Sequence, residues 1–189
     1  MPKIYSRLLA LPVVAALFFA SDISQSSPKV KSTLRLKSTS FQDGHMIPDK
    51  YSCKGQNISP ELNWKGPPAG TKCFTLICED PDAPMQSWTH WVIYNIPAKV
   101  DNATNLYELL EGFPRQEKTT EGIFQGVNDF NKIGYDGPCP PSGLHQYFFK
   151  LYALDGPVKL AAGASKAQVL KAMDKHILAW TQIMGLYGK

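Results

Sequence analysis

Residues 71–97 read TKCFTLICEDPDAPMQSWTHWVIYNIP, two apolar runs joined by a loop of proline and aspartate. The first run, Thr71 to Glu79, is dense in Thr, Phe, Ile and Cys. The second, Trp88 to Ile96, is dense in aromatic and β-branched residues. Both compositions suit a pleated strand. Asp80-Pro81-Asp82-Ala83-Pro84 ends the first run because its two prolines cannot donate to a ladder, and Pro97 stops the second. A third run, Gln146 to Leu154 (QYFFKLYAL), places Tyr147, Phe149, Leu151 and Ala153 at alternate positions, with Phe148, Tyr152 and Leu154 between them. Apolar residues on both faces predict a central strand covered on both sides.

Working outward, Thr33 to Ser38 alternates and reads as a further strand, Phe41 to Gly44 as a turn, and Asn57 to Gly70 as a loop. Two segments have helical character. Asn102 to Glu111 predicts a short helix. Ser165 to Met184 predicts a longer one, with Ser165 as its cap and Val169, Leu170, Met173, Ile177, Trp180 and Met184 recurring at spacings of three and four. His176 lies beside that stripe and reads as a surface or satisfied histidine. No internal repeat or linker interrupts the chain after Thr33. The fold class is therefore mainly β, one domain over residues 33–189, with a C-terminal helix and short peripheral helices.

The N-terminus differs in texture. Lys3 and Arg7 precede an apolar run from Leu8 to Ala20. Thirteen residues suit a signal-peptide core and fall short of the ~20 needed to span a bilayer. Residues 1–20 are thus expected to be a signal peptide, 21–32 a flexible Ser-rich spacer, and the mature protein periplasmic or secreted. A cut after Ala16 places Val14 and Ala16 at the recognition positions; a cut after Ala20 places Phe18 where a small residue is preferred. The formal charge of +4 falls to +2 without Lys3 and Arg7, and no dense basic stripe remains, so no nucleic-acid partner is expected. With 43% hydrophobic and 19% charged residues, the chain can bury a core, which excludes global disorder.

Polar residues of unusual type gather at strand ends in three places: Asp80 to Pro84, Trp88 to Trp91, and Gly134 to Tyr147. Loops at strand ends are where a rigid scaffold displays binding groups. DPDAP at Asp80 to Pro84, the His90-Trp91 pair and GPCPPSGLHQY at Gly137 to Tyr147, in this order, resemble the signature of the phosphatidylethanolamine-binding family and its Raf-kinase-inhibitor-like bacterial branch. The wording around Tyr51 to Gly55, Ile58 to Pro60 and Trp64 to Pro68 is similar to that branch. Gln146 departs from the family, where an Arg is frequent. The resemblance implies an antiparallel β-sandwich and an anion pocket formed by Asp80, His90, Gly137, Pro138, His145 and Tyr147, supported by Asp82, Pro84, Trp91, Pro140 and Pro141. It suggests Tyr187 as a further contributor. It also implies a phosphate-like or phospholipid head-group ligand, a kinase or protease as partner, no cofactor and no catalysis.

The residue chemistry suits an anion. Two imidazoles can donate N–H and carry charge near neutral pH. Backbone N–H groups of the Gly137-Pro138 turn can aim at the same oxygens, and Tyr147 adds a hydroxyl. His145 and Tyr147, two apart on one strand, share a face. Asp80 fits such a site by accepting from a histidine and fixing its tautomer. The alternative is a metal site or metal-dependent hydrolase using His90, His145 and Asp80, with Asp82 and Cys139 as further ligand types; no HExxH or paired CxxC supports it. Ser142 before His145 lacks the G-x-S-x-G elbow of a nucleophile. Cys73 and Cys78, five apart on one strand, face opposite sides and cannot bridge. Cys53 and Cys139 lie in loops, and a bridge between them is expected to tie the pocket loop down.

Overall fold

A computed structural model of the chain describes residues 33–99 and 106–188. The expected signal peptide at 1–20, the spacer at 21–32 and the first part of the expected helix at 102–111 lie outside the described residues. Among the described residues the strands in chain order are β1 Arg35–Lys37, β2 Leu62–Lys65, β3 Cys73–Asp80, β4 Trp88–Pro97, β5 Tyr107–Leu109, β6 Phe124–Gln125, β7 Leu144–Leu154 and β8 Ile177–Gly188, with helix α1 Lys166–Met173 before β8. No helix among them is long and apolar enough to cross a membrane.

The strands form two antiparallel sheets, β1-β2-β5 and β6-β4-β3-β7-β8. The main core lies between them. Leu36, Leu62, Trp64 and Leu109 of the small sheet face Phe74, Leu76, Trp91, Ile93, Phe149 and Leu151 of the large one. The outer face of the large sheet carries a second cluster, where Cys73, Ile77, Val92 and Tyr94 meet Val158, Val169 and Met173. Cys73 and Cys78 lie in different clusters, as the parity of a strand requires. Strand β7 does not have both faces fully covered. Tyr147, Phe149, Leu151 and Ala153 are buried, but Gln146, Phe148, Lys150 and Tyr152 on the outer face are half-buried. There the short α1 covers little of the sheet, and Lys150 reaches Glu79.

Two local expectations are corrected. The helix predicted over 165–184 ends at Met173. A single 3-10 turn, Asp174–His176, follows, and Ile177–Gly188 forms β8, paired with β7 from Leu154↔Ile177 to Leu144↔Gly188. The capping box is present: Ser165 Oγ accepts from Gln168 N–H, and the Gln168 side chain accepts from Ser165 N–H. Beyond Met173, Ile177, Trp180, Thr181 and Ile183 suit a strand as well as a helix. The open edge of β7 offers a full ladder of backbone partners, so tertiary pairing overrides the helical spacing. Within the segment predicted as a short helix at 102–111, Tyr107–Leu109 is strand β5, paired with β2. Its residues bury Leu109 against the core instead of completing a helical turn.

As a ladder edge, β8 should show hydrogen exchange with period two across residues 178–183, slow amides alternating with fast ones. Uniform protection of 177–184 would indicate the helix and contradict this fold.

Candidate functional site

The pairing of β3 with β4 carries the first element of the site. Cys78 pairs with Trp91, Glu79 with Thr89 and Asp80 with Trp88, so His90 has no partner on β3 and is the extra residue of a β-bulge. In a regular strand His90 and Trp91 would face opposite sides. The bulge turns both toward the space between the sheets. Trp91 enters the core and donates its indole N–H to Gln125 Oε1 at 2.8 Å. His90 packs edge-on against Tyr147 of β7, 5.2 Å between ring centres, and against Phe130 at 5.3 Å.

Backbone groups that the bulged strand cannot place in a ladder are satisfied by the loop over 126–136. Thr89 O accepts from Asp129 N, Thr89 N donates to Asp129 Oδ2, and His90 O accepts from Asp136 N at 3.0 Å. In return His90 Nδ1 donates to the Asp136 carbonyl at 2.7 Å. The Asp136 side chain is itself buried. It accepts from Asn57 Nδ2 at 3.0 Å and Asn128 Nδ2 at 2.9 Å, with Arg115 and Lys132 each 3.4 Å away. Burial alone would raise its pKa. The amide donors and the two cations outweigh that and hold the carboxyl below its usual range. Asn57 also accepts from Gly137 N–H at 2.7 Å, and a disulfide joins Cys53 to Cys139 with Cα atoms 5.4 Å apart. The loops on both sides of the site are thereby fixed to one another.

These elements enclose a cavity of about 210 Å³ lined by Asp80, Ala83, Pro84, Trp88, His90, Phe130, Cys139, Pro140, Pro141, His145 and Tyr147. Asp80 accepts from His145 Nδ1 at 2.8 Å through one oxygen and from Asp82 N–H at 2.8 Å through the other. Each histidine thus spends Nδ1 on a protein oxygen and leaves Nε2 for the cavity. Burial lowers the pKa of His90, against the favourable Asp136 carbonyl and the charges of Asp80 and Asp136. Burial, reinforced by Asp80, pushes the Tyr147 phenol far up, so its O–H remains a donor. Six buried side-chain N or O atoms among the described residues lack a hydrogen bond of good geometry: those of Trp88 and Tyr147, two residues of the cavity lining, of Ser87 and Thr89 beside Trp88, and of Trp64 and Thr75 elsewhere. The Tyr147 hydroxyl is near enough to Asp80 and the Cys139 backbone for both to act on it as hydrogen-bonding groups. A buried donor left unpaired costs roughly 1–3 kcal/mol, so the indole N–H of Trp88, a residue of the cavity lining, calls for an acceptor. A larger, open depression of about 700 Å³ beside Lys72, Asp155 and His176 has no such group, and there His176 Nδ1 is paired with Asp155 at 2.7 Å.

The sequence model described as phosphatidylethanolamine-binding protein matches residues 37–188. The chain belongs to that family. A UPF0098 protein of Methanothermobacter thermautotrophicus is 49% identical over 156 residues, 82% of this chain and 99% of its own length. One from Aquifex aeolicus is 48% identical, covering 80% of this chain and 86% of the relative. Among solved structures, a protein of Chlamydia trachomatis superposes with a TM-score of 0.73 at 39% identity, over 84% of this chain and 99% of that one. YbcL of E. coli, described as a member of the mammalian family, gives 0.74 at 33% identity, over 82% and 98%. Membership of the phosphatidylethanolamine-binding family supports a binding protein in general terms.

Of the residues read from the sequence, Asp80, His90, His145, Tyr147, Pro84, Pro140 and Pro141 line the cavity. Asp82 lies behind Asp80 and accepts from Gln146 N–H at 2.8 Å, so it sets the register of loop and strand. Trp91 supports from the core. Gly137 and Pro138 are not in the lining, though the Gly137 backbone acts on His90 as a hydrogen-bonding group. The Gly137 N–H is committed to Asn57, and Pro138 has no N–H and gives its carbonyl to Cys53 N–H. The expected backbone anion donors are therefore absent from that turn. Gly137 is required for another reason: a Cβ there would sit 2.0 Å from the Tyr51 carbonyl oxygen. Tyr187 is also displaced from the expected role. It lies on β8 and is hydrogen-bonded to Ser52 and Asp49, on the far side of the disulfide. Trp88, Phe130, Asn57 and Asp136 were missed as site residues. Trp88 and Asp136 fall within the polar segments noted at the strand ends; nothing in the sequence marks Phe130. Among the described residues no three His, Cys, Asp or Glu side chains are grouped to hold a metal, and Cys139 is in its disulfide.

Two outcomes follow. Because the folded pKa of His90 lies below its ordinary value of 6.5, its contribution to stability is complete above that value. It is lost as pH falls toward the folded pKa, since the unfolded chain takes up the proton first. The His90 ring resonances should titrate with a midpoint below 6.5; a midpoint at or above it would show that burial does not dominate. Gly137→Ala should lower the unfolding free energy by about 1–3 kcal/mol in urea melts, and an unchanged stability would contradict the contact with Tyr51.

Proposed function

We propose that the chain is a non-catalytic binding protein whose cavity receives the phosphate-like head of a small ligand or phospholipid. The observation that carries this reading is the set of donor residues that meet at one cavity, the Tyr147 hydroxyl and the Trp88 indole with two imidazoles, the hydroxyl being shared with Asp80. The volume, about 210 Å³, is below the ~300–1,000 Å³ of sites for whole drug-sized ligands and suits a head group alone. The rim supports a ligand with an apolar remainder: Ala83, Pro84, Pro140 and Pro141 form the walls, and Met85 after Pro84 and Leu144 before His145 stand exposed.

Against catalysis stands the use already made of the reactive groups. His145 is bonded to Asp80, and among the described residues no serine hydroxyl bonds to His145. The sulfur at the cavity is in a disulfide. The Asp80–His145 pair thus orients a binding group and has no nucleophile to activate.

Titration with phosphate and phosphorylethanolamine, followed at the His90 and His145 ring protons, should shift both residues at millimolar ligand. Tyr147→Phe removes one hydrogen bond, and its affinity should fall about tenfold. Silence of both histidines at millimolar ligand would refute the reading.

A further inference from the structure

The hydrogen bonds of the two histidines define what the cavity can recognise. His90 Nδ1 lies 2.7 Å from the Asp136 carbonyl oxygen, an atom that only accepts, so the ring proton sits on Nδ1. Neutral imidazole protonated at Nδ1 has a bare lone pair at Nε2. His145 spends Nδ1 in the same way on Asp80. The cavity lining therefore carries Tyr147 O–H, shared with Asp80, and Trp88 N–H as donors, and His90 Nε2 and Asp80 as acceptors. Among the described residues no lysine or arginine lines the cavity.

The surroundings of His90 keep it in that state. Asp80 approaches from β3, and its two oxygens are taken by His145 and the Asp82 N–H. From β7 come His145 and Tyr147. From the loop come the Asp136 carbonyl and the Phe130 ring, and from its own strand the Trp88 ring. Burial is the largest influence on its pKa and disfavours the imidazolium.

An oxyanion without a proton can accept from Tyr147 and Trp88 but turns an oxygen lone pair toward the lone pair of Nε2. An oxyanion that keeps one P–OH has a donor for that nitrogen. We propose that His90 Nε2 is a specificity determinant that makes the cavity prefer a phosphate or phosphate monoester carrying a proton over a fully deprotonated oxyanion or a phosphodiester such as a phospholipid head. This rests on the anion-binding reading above and specifies the protonation state and ester class of the ligand.

The test compares inorganic phosphate, sulfate and dimethyl phosphate on the full chain near pH ~7, the range where imidazole chemistry decides. Calorimetry and the histidine ring resonances are the readouts. Sulfate has no proton at that pH, and dimethyl phosphate is a monoanion without a P–OH. Phosphate should bind about tenfold more tightly than either. Its affinity should fall as the pH rises and the second proton is lost. Its advantage over sulfate should collapse once the pH drops below the His90 midpoint, where Nε2 becomes a donor. Equal binding of phosphate and sulfate near pH ~7 would overturn the acceptor role and leave the anion site standing. Failure of all three to bind would remove the site and this inference with it. His90→Phe should bring phosphate down to the level of sulfate; if that variant does not fold, the pH dependence of the wild-type ratio decides alone.

Discussion

The buried carboxylate of Asp136 is the point at which the loops around the cavity are tied together. It gathers Asn57, Asn128, Arg115 and Lys132 from separate segments. Its backbone exchanges hydrogen bonds with His90 in both directions. Removing one partner of a buried, paired charge costs more than the pair's net worth, because the remaining groups are left without water or a partner. The bulge at His90 is stable because the loop anchored by Asp136 supplies what the β3–β4 ladder lacks there. The disulfide between Cys53 and Cys139 and the approach of Gly137 to Tyr51 secure the same two loops.

Charge is sorted across the large sheet. Glu79 precedes Asp80 in the chain but points to the outer face, where Lys150 and Lys166 pair with it. Burial there would raise the Glu79 pKa, and the two lysines more than offset it. Asp80 points inward and meets His145. Lys150 and Lys166 thus stand on the face away from the cavity, whose lining is aromatic rings, prolines and the Asp80–His145 pair. Trp88, Phe130, His90 and Tyr147 form a chain of edge-on contacts. Such contacts hold the donors in position without charge. A ligand recognised in this setting is selected by where its protons and lone pairs lie more than by its total charge.

Much of the architecture was legible because the residues that decide it act locally. Prolines end the strands at Asp80 and Pro97, and strand parity puts His145 and Tyr147 on one face. The failures have a common cause. The segment after Met173 has both helical spacing and strand-forming residues, and only the open edge of β7 chooses between them. The bulge at His90 changes a face through register with another strand, which no local pattern records. The Gly137 N–H looks available until Asn57, 80 positions earlier in the chain, is seen to take it. Phe130 reaches the cavity because Asn128 folds its turn, accepting from the N–H groups of Phe130 and Lys132.

The central claim is that the donors of Tyr147 and Trp88 and the Nε2 of His90 together form the binding site for a phosphate head. A crystal structure of the chain soaked in phosphate tests it most directly. The account predicts the anion inside the cavity, within hydrogen-bond distance of Tyr147 Oη, Trp88 Nε1 and His90 Nε2, with His90 Nδ1 still on the Asp136 carbonyl. An empty cavity at saturating phosphate, or an anion bound with the His90 ring released from Asp136, would contradict it.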